Sequence, residues 1–143
     1  MKLDINAPII PFEGLGGISL YSTREELKEL LNSKTSVKHT IFDGTIEYQI
    51  GNDVLLFFSL ANDRLFKISA LENYKGKLFK KIKIGTTEEE LIAIEPSFKY
   101  NNFEEFWETS KGASIETDST HRVICIGVYV HELLMPEFRS GKW

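Results

Sequence analysis

Apolar and polar positions along the chain fall into two blocks of similar order. In the first, Ile18-Ser19-Leu20-Tyr21 leads into Ser22-Thr23-Arg24-Glu25-Glu26-Leu27-Lys28-Glu29-Leu30-Leu31. Leu27, Leu30 and Leu31 stand at i, i+3 and i+4, which predicts a helix with one apolar stripe. Ser22 is placed to cap it, with Glu25 three residues on reaching back to the cap amide. Thr45–Ile50 then alternates apolar and polar, the period of a half-buried strand. Gly51-Asn52-Asp53 reads as a turn, residues 54–60 as a buried strand, Ala61-Asn62-Asp63 as a second turn and residues 64–70 as the closing strand.

The second block repeats this order. Residues 82–85 lead into a helix over residues 86–94, with Thr86 and Glu89 as its capping pair and Leu91 with Ile94 as its stripe. Pro96 stops the helix, because proline restricts the residue before it and has no amide to donate. Strands are expected over residues 104–109, Ala113–Thr117 and residues 122–130. Phe103, Phe106 and Trp107 also fit a helical spacing, and the analogy with the first block favours strand there. The helices are offset by 64 residues and the last strands by about 58, a regularity that internal duplication leaves behind. The expected fold class is therefore α+β: an internal duplication of a helix plus a three-stranded antiparallel meander, with the helices packed on the sheet. Residues 1–143 are expected to form a single domain. Its repeats, 18–70 and 82–130, are joined by a lysine-bearing link over 71–81.

Composition narrows the function classes. At 143 residues with a formal net charge of −4, the chain is long enough for a core without disulfides or metal. Its acidity argues against a nucleic-acid partner, which asks for a basic excess. The apolar run Ala7 to Phe12 is broken by Pro8 and Pro11 and flanked by Asp4 and Glu13, so it makes no secretory leader. No stretch approaches the ~20 apolar residues that span a bilayer, so no membrane partner is expected. Cys125 is the single cysteine, which leaves no intramolecular disulfide and points to a cytoplasmic location.

Candidate chemistry is sparse. His39, His121 and His131 lack the spacing of a zinc set, and one cysteine cannot supply the usual thiolates. Cys125 lies among Val123, Ile124, Ile126 and Val128, where a buried, inert thiol is expected. Gly14-Leu15-Gly16-Gly17 lacks the strand, the lysine and the spacing of a phosphate cradle. Glu88-Glu89-Glu90 suits the first turn of a helix, where acidic groups complement the dipole. No catalytic residue, metal or cofactor is assigned. One region suits a protein interface: Tyr100 and Trp107 as anchors amid Glu104, Glu105 and Glu108, with Glu116 and Asp118 on the neighbouring strand and turn. The competing reading makes the aromatic rings core and the carboxylates a solvated face.

Several motifs resemble those of small proteins encoded beside bacterial polymorphic toxins, among them immunity proteins of contact-dependent growth inhibition systems. They are Pro8-Ile9-Ile10-Pro11-Phe12, Gly14-Leu15-Gly16-Gly17-Ile18, Ile84-Gly85-Thr86-Thr87-Glu88-Glu89, Glu95-Pro96-Ser97-Phe98, Lys111-Gly112 and Ile115-Glu116-Thr117-Asp118. The resemblance spans residues 8–31 and 82–130. It implies a non-enzymatic cytoplasmic protein whose partner is a cognate toxin domain, with a basic nuclease as the expected cargo. It carries over no contact residue. A second reading, from the residues alone, is a small-ligand-binding domain using a cleft between the repeats; an enzyme built on Cys125 or a histidine ranks last.

Overall fold

The computed structural model describes residues 2–33 and 37–143. In chain order the elements are β1 (Gly14–Leu15), β2 (Ile18–Ser19), α1 (Lys28–Leu31), β3 (Val37–Phe42), β4 (Thr45–Ile50), β5 (Val54–Ser59) and β6 (Leu65–Ala70). They continue with α2 (Glu88–Ile94), β7 (Lys99–Asn101), β8 (Phe106–Thr109), β9 (Ala113–Thr117) and β10 (Val123–Tyr129). Two short 3-10 helices, His131–Leu134 and Pro136–Ser140, follow. No helix among the described residues is long and apolar enough to cross a membrane.

Eight strands form one antiparallel sheet in the order β3-β4-β5-β6-β10-β9-β8-β7. Each block supplies a meander, and the blocks join where β6 pairs with β10, Ile68 opposite Val128 and Ala70 opposite Ile126. This corrects the expected α+β class. The fold is mostly β, each meander has four strands instead of three, and α1 and α2 have only four and seven residues. Besides the short β1 and β2, the strands missing from the sequence reading are the two edges of the large sheet. An edge strand is wet on both faces or too short to show a period. Residues 38–42 of β3 are all exposed, so the apolar Ile41 and Phe42 sit side by side, and β7 has three residues. His39 lies within this edge strand.

The capping box of α2 sits one residue later than expected, whereas α1 has no side-chain cap at its N-cap Leu27 and the matching Thr23–Glu26 pair lies in the turn ahead of it. Glu26 N–H donates to Thr23 Oγ1 at 3.2 Å, and Thr23 N–H donates back to Glu26 Oε1 at 2.9 Å. Thr87 and Glu90 repeat this at 3.1 and 3.2 Å. Ser22 and Thr86 are unavailable as caps because their carbonyls still serve the sheet, accepting from Leu65 and Val123 at 2.8 Å. These long-range bonds thus shift each Thr–Glu pair by one residue.

One face of the sheet is apolar. Val54, Leu56, Phe58, Ile68, Ala70, Ile115, Ile126 and Val128 are fully buried on it. Eleven α-helical residues cannot cover eight strands, so extended chain does much of the work. In the link, buried Tyr74, Gly76 and Leu78 alternate with exposed Lys75 and Lys77, so the lysines are one side of a packed strap. Ile9 runs parallel to Leu78 beneath it. The β1–β2 hairpin closes through Gly16 and Gly17, both at positive φ (67° and 80°), which a two-residue turn of this hand requires.

The strap is pinned by one phenol. Tyr74 Oη donates to the Ala7 carbonyl at 2.6 Å and accepts from Gly16 N–H at 2.7 Å. Burial raises its pKa to about 12. At Gly76, an added Cβ would lie 1.9 Å from the Ala7 oxygen. Tyr74→Phe strands two polar groups beneath the strap and should cost about 1–3 kcal/mol in chemical denaturation. Gly76→Ala should cost more, since backbone has to move. A Tyr74→Phe variant as stable as the parent would show that the phenol's bonds do not hold the strap.

Candidate functional site

The same closure is built at the start of both blocks. The Arg64 guanidinium donates to the Tyr21 carbonyl at 2.9 Å, and that of Arg122 donates to the Gly85 carbonyl at 3.0 Å. The residue before each arginine, Asp63 and His121, takes φ of 62°, which turns its side chain towards the helix start. There Asp63 meets Arg24, and His121 Nδ1 meets Glu88 Oε2 at 2.8 Å. The two pairs are arranged in opposite order: the basic side chain comes from the segment ahead of the helix in the first block, and the carboxylate comes from the helix in the second.

Glu88 draws four elements together. Its Oε1 accepts from Thr117 Oγ1 at 2.8 Å on β9 and from Trp107 Nε1 at 3.2 Å on β8, while Oε2 faces His121. A carboxylate only accepts, so the imidazole nitrogen is the donor here. Burial pushes the Glu88 pKa up, but the bonds from Thr117, Trp107 and His121 outweigh it, and the net position is below the ordinary carboxylate value. A carboxylate this well satisfied is a poor base. It works as a clamp that fixes Trp107.

Trp107 in turn supports an exposed aromatic and acidic edge. Its ring packs edge-to-face against Tyr100 at 5.3 Å, across the β7–β8 register. The hairpin tip is held by Asn101, whose Oδ1 accepts from Phe103 N–H and Glu104 N–H, both at 3.0 Å. Glu105 sits at φ 60°. This leaves Phe103 90 % exposed, with Glu104 and Glu105 exposed beside it.

Strand alternation divides the seven expected contact residues. Tyr100 and Trp107 lie on the helix-bearing face, and Glu104 and Glu105 at the tip. Glu108 and Glu116 project from the reverse face, Glu108 opposite Lys99 and Glu116 opposite Cys125. Asp118 is absorbed in its own turn: it accepts from Thr120 and Arg122, and the Thr120 hydroxyl first among these bonds lowers its pKa. Phe103 lies within the aromatic and acidic stretch but is not among the expected contacts, since its spacing also suits a helical stripe or the core. The Asn at the turn start, two residues before it, is the signal that places it outside.

Two other features bear on chemistry. Cys125 is half-buried, and burial first, then the Glu116 charge, pushes its thiol up to about 12. A cleft of roughly 610 Å³ opens between the blocks, with Leu55, Leu71, Ile84 and Ile124 as apolar walls and Glu72 and Arg122 at its rim. Among the described residues, no three His, Cys, Asp or Glu side chains gather as a metal site.

No protein-family model and no curated protein sequence matches the chain. Among solved structures, the crystal structure of a cysteine-rich secretory protein from Staphylococcus aureus is similar to it, with 14% identity and a TM-score of 0.52. The match covers 92% of this chain and 50% of that one, so the chain spans about half the length of that protein. At this identity the likeness concerns the fold alone.

The clamp has a pH signature. Glu88 is lowered in the fold, so its contribution is present above the ordinary carboxylate pKa and is lost as pH falls through the folded value. Glu88→Gln should be about 1–2 kcal/mol less stable than the parent at neutral pH. The gap should close as pH falls from roughly 5 to 2; a constant gap would show that the charge is irrelevant. Cys125 should react with iodoacetamide far more slowly in the native chain than in denaturant at the same mildly alkaline pH. Equal rates would mean that burial does not protect the thiol.

Proposed function

We propose that this chain is a protein-binding inhibitor of the immunity type, engaging a basic toxin domain through the β7–β8 hairpin. The observation that carries the reading is Phe103, 90 % exposed, its backbone held by Asn101 and followed directly by two carboxylates. A large apolar ring held in water gains by desolvation when a partner covers it, and Tyr100 extends the same edge. Glu104 and Glu105 beside it suit a basic surface, and a nuclease must be basic to hold phosphates. The motif resemblance to immunity proteins supports the same class. The acidic contact set is narrower than the seven residues expected, because Glu108 and Glu116 project from the opposite face.

The inter-block cleft supports the second reading, a small ligand between apolar walls with Arg122 at the rim. Arg122 is already bonded to Gly85 there, which leaves the hairpin as the stronger case.

The test is binding of the intact chain to the toxin domain encoded beside it, measured by stopped flow at several salt concentrations. Glu104→Lys with Glu105→Lys should slow association about tenfold and flatten its salt dependence. Phe103→Ala should speed dissociation, and both variants should melt like the parent because these side chains are exposed. If both bind and protect cells like the parent, the hairpin is not the interface.

A further inference from the structure

The two edges of the sheet are unlike. β7 ends after three residues in the Asn101 turn. β3 is six residues long and pairs with β4 in unbroken register from Val37 opposite Ile50 to Phe42 opposite Thr45. Its backbone makes no bond to a described residue outside that ladder. Ile41 is 63 % and Phe42 46 % exposed, on opposite faces. Natural edge strands are blunted by shortness, proline, bulges or charge; β3 has no proline or bulge and a single lysine. A straight edge carrying apolar side chains on both faces is built to be paired.

We propose that β3 is a self-pairing strand: two copies join antiparallel about a twofold axis through Thr40, extending the eight-stranded sheet across both molecules. The occupant is argued from the strand's own sequence. Residues directly opposite in a ladder share a face, so the axis must pass through a residue. With Thr40 on the axis, Lys38 lies opposite Phe42 of the second copy, His39 opposite Ile41, and Thr40 opposite itself. A cation meets an aromatic ring, threonine meets threonine, and no like charges face each other, which are favourable cross-strand pairs. An axis through His39 sets imidazole against imidazole. One through Ile41 carries Lys38 past the end of the partner strand. The arrangement leaves the β7–β8 hairpins at opposite ends of the joined sheet, and it stands whether or not those hairpins bind a toxin.

The experiment is sedimentation velocity of the intact chain across the micromolar range. The mass should rise from that of one chain to that of two. Thr40→Lys sets two ammonium groups together on the axis and should stay monomeric throughout, with the parent's circular dichroism. In a Cys125→Ala background, Thr40→Cys should form a disulfide-linked dimer under mild oxidation. Glu47→Cys, one strand inward on the same face, should not. A parent monomeric at every concentration overturns the proposal and leaves the edge to a strand from another protein. A dimer that survives Thr40→Lys, or equal cross-linking at both cysteines, overturns it as well.

Discussion

A sheet eight strands wide with one apolar face must have that face covered, and the rest of the molecule is arranged around doing so. The helices are too short, so the cover is completed by the opening segment and the link between the blocks. Extended chain brings unpaired peptide groups with it, and a buried peptide group without a partner is costly. The parallel contact of Ile9 with Leu78, the amides of Lys75 and Gly76 on the Ile5 carbonyl, and the Tyr74 phenol meet that demand. What reads as a solvated lysine linker is therefore the outer side of a core element.

The twin closures show how the same backbone plan accepts different chemistry. Arg64 and Arg122 hold equivalent carbonyls, and Asp63 and His121 share a backbone conformation. The side-chain pair above each is free to differ, Arg24 with Asp63 in the first block and His121 with Glu88 in the second. In the second block that freedom is used to add Thr117 and Trp107 to the carboxylate, which ties the sheet's outer strands to the helix. The exposed hairpin is thus anchored by a partly buried network while its tip stays in water.

The strands with one wet and one dry face were legible in the sequence: Thr45–Ile50 and Ala113–Thr117 lie where their alternation places them. The edges were not, because a period needs a contrast between faces and an edge has little. The caps were misplaced for a different reason. Ser22 and Thr23 each have a glutamate three residues on, as do Thr86 and Thr87, so spacing alone is degenerate and the long-range bonds of Ser22 and Thr86 decide. Of the contact set, strand parity could have separated Trp107 from Glu108. The exposure of Phe103 follows from a turn that begins two residues before it.

The strand order carries a consequence for how the chain folds. Every pairing in the large sheet joins strands adjacent in sequence, except β6 with β10. Six of the seven interfaces close short loops, and the seventh must wait for two partners separated by an entire meander. Loop closure over that span costs more entropy than any hairpin turn, so the rate of reaching the native state is set by the search of one meander for the other. Substitutions at the β6–β10 seam, such as at Gly127 between Ser69 and Ser114, would act on that search as well as on final stability. Changes within either meander would mainly alter how fast the finished sheet comes apart.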